Sequence, residues 1–144
     1  MKLAGKVIKN LGRGKSLGFP TANLDVRTEM DEGVYLGLVT KIEKGPLPLF
    51  SRKLGPRKNL IPNIKALPAL VFIGSAKTFH EKERKVEVHI LDFIYDIYEK
   101  EMEVEIVKKI RDNQKFDSVE ELIEQMKKDE LVARQFFGSY NQSN

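Results

Sequence analysis

Residues 12–23 read GRGKSLGFPTAN, and this glycine-rich stretch decides which nucleotide-binding folds the chain can adopt. Gly14-Lys15-Ser16 matches the end of a P-loop, but the glycine that a P-loop needs five positions earlier is Lys9. A P-loop also continues into a helix at its Lys-Ser pair, whereas Gly18-Phe19-Pro20 follows here and breaks a helix. The sequence therefore excludes a P-loop and leaves open a phosphate-facing loop of another kind.

The same stretch contains groups that suit a metal-bound phosphate. Its glycines let the backbone approach a ligand, and successive N–H groups in such a turn form a concave nest for phosphate oxygens. Pro20 fixes the chain so that Thr21 and Asn23 share one face if the segment is extended, and both carry oxygen ligands suited to Mg²⁺. A plain glycine-rich hairpin loop, with Thr21 and Asn23 bonded to their own backbone, explains these residues slightly more simply. The candidate nucleotide-binding residues are Gly12, Arg13, Gly14, Lys15, Gly18, Pro20, Thr21 and Asn23.

Size and composition predict a single soluble domain. The chain has 144 residues, of which 41% are hydrophobic and 32% are charged, as in ordinary globular proteins. It has no cysteine and only two histidines, His80 and His89, which excludes disulfides, thiolate metal sites and histidine-rich metal clusters. No apolar run approaches about 20 residues, and the N-terminus is too polar for a secretory signal. We therefore expect a cytoplasmic protein that does not cross a membrane.

Positive charge is concentrated in the middle of the chain. The net charge is +4, and seven lysines and arginines lie between Lys41 and Lys65 against a single acid, Glu43. The surrounding stretch, residues 43–66, also contains four of the six prolines, and we interpret it as an insertion of functional or mobile character. A solvated loop explains these charges most simply. A flap over polyphosphate and a nucleic-acid surface are the alternatives, and no helix there could enter a DNA groove.

Five short stretches of alternating or apolar residues predict β-strands. They are Leu3 to Lys9, Val34 to Val39, Ala69 to Ile73, Lys85 to Phe93 and Glu103 to Ile110. Five or six such strands favour a small antiparallel barrel or sandwich, and the absence of a βαβ rhythm argues against a Rossmann sheet.

One helix is predicted near the C-terminus. Ser118 and Glu121 form a capping box, and an apolar stripe at helical spacing follows. We expect this stripe to close one end of the barrel; it consists of Val119, Leu122, Ile123 and Met126. Residues 1–137 then form one domain, and 138–144 form a flexible tail.

The run KVEVHILDF (85–93) contains a candidate catalytic carboxylate. Strand alternation places Glu87 and His89 on the face opposite Val86 and Val88, and a carboxylate on a rigid strand is well placed to act as a general base. Glu103 and Glu105 occupy similar alternating positions, however, and solvated glutamates are common. Periodicity alone therefore does not select Glu87.

Together these stretches resemble the ATP-dependent riboflavin kinase family, which includes the C-terminal module of bacterial bifunctional FAD-synthesising enzymes. The run ending in PTAN is the most specific element, and nothing resembles the nucleotidyltransferase module of the bifunctional enzymes. The matching segments are GRGKSLGFPTANL (12–24), GVYLG (33–37), PALVFIGSAKTF (68–79), VEVHILDF (86–93), IYDIY (94–98) and IRDNQKFDSVEELIEQMKKD (110–129).

The resemblance implies a fold, a reaction and residue roles. The fold would be a six-stranded Greek-key (split) β-barrel with a C-terminal α-helix. The reaction would transfer the γ-phosphoryl group of ATP to the 5′-hydroxyl of riboflavin, giving FMN and ADP. Thr21 and Asn23 would hold Mg²⁺ and the nucleotide, and Glu87 would be the general base. Arg111 and the pair Lys115-Phe116 would lie in a flap on the flavin side.

Some positions depart from the family pattern. Lys77 stands where a proline is common, Glu99 where a glycine is usual, and Asn113 where an acid is frequent. These departures concern the flavin contacts more than the PTAN and Glu87 elements. The main alternative is a barrel that binds flavin or nucleotide without catalysis and serves as a regulatory module. We expect riboflavin, FMN, ATP and ADP as ligands, no nucleic-acid or membrane partner, and a monomer.

Overall fold

The computed structural model describes residues 1–8, 21–43, 66–75, 84–93 and 97–142 of the chain. These residues form six strands and one helix: β1 (Lys2–Ile8), β2 (Ala22–Asp25), β3 (Gly33–Ile42), β4 (Leu67–Ser75), β5 (Arg84–Ile90), β6 (Glu101–Arg111) and α1 (Val119–Gln142). The five strands predicted from apolar runs are confirmed. The proposed insertion at 43–66 lies, apart from its first and last residues, outside the described residues.

The six strands close into an antiparallel barrel. Their order around the barrel is β1-β2-β5-β4-β3-β6, and pairing of β6 with β1 completes the ring. Strands β3, β4 and β5 follow one another as neighbours, while β6 returns to lie beside β3. This arrangement is a Greek key, as predicted.

Alternation along each strand separates an inner from an outer surface. The inner residues form the main core, which includes Leu24, Tyr35, Val39, Val71, Val86, Val88 and Val104. Gly37 also lies inside, where an added Cβ would stand 2.9 Å from Val71 Cγ2 and 3.1 Å from Val104 Cγ2. The register between β3 and β6 shifts next to it. The glycine in this strand thus marks both a close approach and a bulge.

The helix packs against the outside of the barrel, and the prediction that it closes one end is wrong. Ala133 and Phe137 form a second cluster with residues that point outward from β3 and β4, namely Val34, Leu36 and Leu70. The predicted stripe is only partly buried, because Met126 is covered whereas Val119 is 54% exposed. The buried face lies further along the helix, where it meets the outer apolar residues of the two strands.

The ends of α1 follow from local chemistry. The N–H of Glu121 donates to Ser118 Oγ at 3.2 Å, which confirms half of the predicted capping box. The carboxylate of Glu121 accepts from the N–H of Asp117 rather than from Ser118. The helix continues to Gln142, into the stretch 138–144 that the sequence assigned to a tail. No helix of the described residues is long and apolar enough to cross a membrane.

Candidate active site

The strand register brings residues from three separate motifs into one line across the outer surface. Asn23 of β2 lies directly opposite Glu87 of β5, and Glu87 lies opposite Phe72 of β4. Phe72 pairs with Val34 of β3, which pairs with Arg111 of β6. Directly opposed residues of antiparallel strands point to the same face with Cβ atoms about 5 Å apart. We call this line the outer row.

Asn23 has the local features of a ligand-binding residue. Its residue is 6% exposed, and its Oδ1 has no hydrogen-bond partner among the described residues. A buried carbonyl oxygen without a partner costs free energy, which makes this atom a candidate for contact with a bound ligand. Thr21 lies half-buried one residue before β2. Amide and hydroxyl oxygens fit Mg²⁺ that keeps some of its waters and bridges phosphates.

The donor set on the described residues is neutral. These residues include no group of three or more His, Cys, Asp or Glu side chains arranged to hold a metal ion. The positive charge of a cation at Asn23 would therefore be balanced mainly by the oxygens of a bound polyphosphate. This is the usual arrangement for Mg²⁺ in phosphoryl-transfer sites.

Glu87 is set apart from the other candidate glutamates by its neighbours. Its side chain is 32% exposed, and its Oε1 lies 3.5 Å from Lys85 Nζ. Glu103 and Glu105 lie on β6, opposite Ala4 and Lys2 of β1. Of these three glutamates, Glu87 is the one opposed to Asn23, so the register distinguishes it where strand alternation could not.

The remaining predicted site residues divide into two groups. Gly12, Arg13, Gly14, Lys15, Gly18 and Pro20 lie outside the described residues. Arg111, Lys115 and Phe116 are described: Lys115 is exposed and Phe116 half-buried after the end of β6. The guanidinium of Arg111 binds the carboxylate of Asp129 through two hydrogen bonds, of 2.8 and 2.7 Å. Their role in binding flavin stays a prediction.

Asp129 was not anticipated from the sequence. It is only 2% exposed, and besides Arg111 it accepts a hydrogen bond of 3.0 Å from Gln125. This pairing joins the helix to the end of β6, where the predicted flap begins. The sequence did contain a signal for Asp129, because this acid lies at the three- and four-residue spacing of the apolar residues Met126, Ala133 and Phe137. Its partner could not be identified without the fold.

A second polar network joins the helix to β5 beside Glu87. Nε2 of His89 lies 3.4 Å from Glu130 Oε2, and Arg134 binds both Glu130 and Asp92. The hydrogen bonds that Arg134 donates to Asp92 lower the pKa of Asp92 below its ordinary value of 3.8, and the hydrogen bonds that Arg134 donates to Asp92 and Glu130 raise the pKa of Arg134. His89 thus contributes to helix docking, in keeping with a structural hydrogen-bonding role.

Comparison with known proteins identifies the family. The flavokinase (riboflavin kinase) family model matches residues 1–137, so the chain belongs to this family. An Escherichia coli K12 bifunctional riboflavin kinase/FMN adenylyltransferase is 33% identical over 138 residues, which cover 94% of this chain and 38% of that protein. A riboflavin kinase from Pyricularia oryzae is 35% identical, covering 92% of this chain and 68% of its own length.

Two further similarities concern the name and the fold of relatives. A Bacillus subtilis protein named RNA-binding riboflavin kinase is 35% identical, covering 93% of this chain and 50% of its own length. The crystal structure of riboflavin kinase from Trypanosoma brucei superposes with a TM-score of 0.60 at 23% identity, covering 95% of this chain and 79% of that one. That likeness supports the barrel fold. The chain spans well under half of the bifunctional Escherichia coli relative.

Proposed function

We propose that this chain transfers the γ-phosphoryl group of ATP to the 5′-hydroxyl of riboflavin, giving FMN and ADP. The observation that carries the proposal is the direct opposition of Asn23 and Glu87 across β2 and β5. A group suited to a metal-bound phosphate and a group suited to accept a proton are adjacent on one surface. Phosphoryl transfer requires this kind of positioning and charge stabilisation more than covalent help from the protein.

In the proposed mechanism, Thr21 and Asn23 orient the metal-nucleotide, and the resemblance assigns phosphate binding to the glycine-rich residues 12–20, which lie outside the described residues. Thr21 and Asn23 would hold Mg²⁺, which would supply positive charge to offset that of the phosphates. Glu87 accepts the proton of the 5′-hydroxyl as the ribityl oxygen forms its bond to the γ-phosphorus. The bond from the γ-phosphorus to the bridging oxygen breaks, and its electron pair leaves with ADP. Geometry matters more here than a strongly shifted pKa.

On the acceptor side, we propose that the segment after β6 contacts riboflavin through Lys115 and Phe116. Arg111 starts this segment, and its two hydrogen bonds to buried Asp129 support a fixed starting point. Asn113 also holds the segment, because its Nδ2 donates to the carbonyl of Ile73 at 2.9 Å. A cytoplasmic monomer without a nucleic-acid partner remains our prediction.

The reaction is tested by incubating the purified chain with riboflavin, ATP and Mg²⁺ and separating flavins and nucleotides by chromatography. We expect FMN and ADP in equal amounts. Tight riboflavin or nucleotide binding without FMN would instead favour the non-catalytic alternative. Oligonucleotide binding that weakens with salt, in the absence of FMN formation, would favour the nucleic-acid alternative.

A further inference from the structure

Glu87 has two cross-strand neighbours of opposite chemistry. Asn23 on one side presents an amide, whereas Phe72 on the other presents an aromatic ring. Neighbouring strands lie about 4.8 Å apart, so both side chains are within reach of a group bound at the carboxylate. The surface around Glu87 is therefore polar towards β2 and apolar towards β4.

The outer face of β4 beside Glu87 carries an aromatic residue and a glycine. Phe72 is half-buried and packs against the edge of the cluster under the helix. Gly74, two residues further along the same outer face, presents no side chain. Among the described residues, a Cβ built there would have only Asn113 Nδ2 within 4 Å, at 3.7 Å. Asn113 lies in the predicted flap, so this surface extends from Glu87 to the flap.

We propose that Phe72 and Gly74 receive the flat aromatic ring of the acceptor, and that Phe72 makes the enzyme prefer a ring-bearing alcohol over a simple polyol. This inference rests on the proposed function. The acceptor hydroxyl must reach Glu87, while the metal-nucleotide occupies the Asn23 side. The ring then lies on the β4 side, where an aromatic side chain can stack on it and a glycine leaves room for it.

The first test measures riboflavin binding without ATP, by the change in flavin fluorescence. Because stacking on an aromatic side chain strengthens binding, we expect Phe72→Ala to raise the Kd by about tenfold or more. Phe72→Tyr should bind nearly as tightly as the wild type. Val107→Ala is the matched control, because Val107 is a 40% exposed apolar residue on β6. Its Kd should be unchanged, and a Phe72→Ala variant with wild-type Kd would overturn the inference.

The second test uses steric filling and kinetics. Gly74→Val should also weaken riboflavin binding, because its side chain occupies the space left for the ring, while the melting temperature should change little. In turnover, both Phe72→Ala and Gly74→Val should raise the KM for riboflavin and leave the KM for ATP within about twofold. Phosphorylation of ribitol, which has no ring, should be equally slow in wild type and Phe72→Ala. If Phe72→Ala slowed the phosphorylation of ribitol as much as that of riboflavin, the inference would be contradicted.

These readouts separate the inference from the proposed reaction. If no FMN forms but riboflavin binding depends on Phe72, the kinase activity is rejected and the binding of the flavin ring at Phe72 and Gly74 is retained. If FMN forms but riboflavin binding is unchanged by Phe72→Ala and Gly74→Val, only the binding of the ring at these two residues is rejected.

Discussion

At the scale of single residues, the most informative atom is the Oδ1 of Asn23. It is buried and has no hydrogen-bond partner within the described part of the chain. Leaving a buried acceptor unpaired costs about 1–3 kcal/mol, which packing alone does not recover. A bound metal-nucleotide would give this oxygen a partner. The free-energy cost of the unpaired oxygen in the free protein would then be recovered when the metal-nucleotide binds.

Asn23→Leu should leave the stability of the free protein intact or improve it, but should impair the use of Mg²⁺. The free energy of unfolding of the free protein should be unchanged or raised by up to about 1 kcal/mol, because an unpaired buried oxygen is removed. The Mg²⁺ concentration that gives half-maximal FMN formation should rise by about tenfold or more. Thr40→Val on β3 provides a polar-to-apolar control away from the site. An unaltered Mg²⁺ dependence would contradict the role of Asn23.

The sequence predicted some of these residues for physical reasons and missed others. Strand alternation showed that Glu87 points away from Val86 and Val88, and the resemblance selected it. Its opposition to Asn23 could not be derived from either segment, because register depends on pairing between strands far apart in sequence. The sequence placed Phe72 in a strand but gave it no role, because its neighbour across the sheet, Glu87, could not be identified without the register.

At the scale of elements, the turn before β6 contains backbone strain at a non-glycine residue. Glu99 has a φ of 69°, where the family usually has glycine. Its N–H donates to the carbonyl of Val7 at 2.8 Å, and the N–H of Lys100 donates to the carbonyl of Ile97 at 3.0 Å. The turn is thus held in the left-handed region by pairing to β1. That conformation costs an L-residue about 1–2 kcal/mol.

Replacing Glu99 with glycine should therefore stabilise the protein. The greater freedom of glycine in the unfolded chain offsets part of the relief, which leaves a gain of up to about 1 kcal/mol. We expect the melting temperature to rise by roughly 2–4 °C. Glu99→Ala is the control, because it removes the carboxylate and keeps the strained conformation. A Glu99→Gly protein no more stable than Glu99→Ala would contradict this interpretation.

Docking of α1 onto β5 should depend on pH through Asp92. The hydrogen bonds from Arg134 lower the pKa of Asp92 below 3.8, so their stabilisation is present above that pH and is lost as the pH falls through the lowered value. Asp92 is 74% exposed, and solvent screening keeps the coupling below about 1 kcal/mol.

A double-mutant cycle with Asp92→Asn and Arg134→Gln measures this coupling. Asparagine is chosen because Asp92 has a φ of 57°, which asparagine tolerates. The coupling free energy from denaturant unfolding should be favourable at pH 7 and clearly weaker at a pH well below 3.8. A coupling that is absent at pH 7, or equal at both pH values, would rule out this source of stability.

At the scale of the whole molecule, the antiparallel barrel positions the site. Its strand order places β2 beside β5, although they are separated by two other strands in sequence. The number of longer strands followed from their apolar runs, whereas β2 has only four residues, too few for a periodic signal. The helix was predicted correctly, but its packing surface was not. An amphipathic stripe predicts burial without specifying which surface of the barrel it covers.

Glu87 is proposed to accept the proton of the riboflavin 5′-hydroxyl beside a metal-nucleotide held at Asn23. Turnover and ATP binding by Glu87→Gln test it most directly, measured next to Glu105→Gln on β6. We expect kcat of Glu87→Gln to fall by roughly 10²–10⁴ with ATP affinity within about twofold of wild type. Glu105→Gln should turn over normally. Near-normal turnover by Glu87→Gln would contradict the claim.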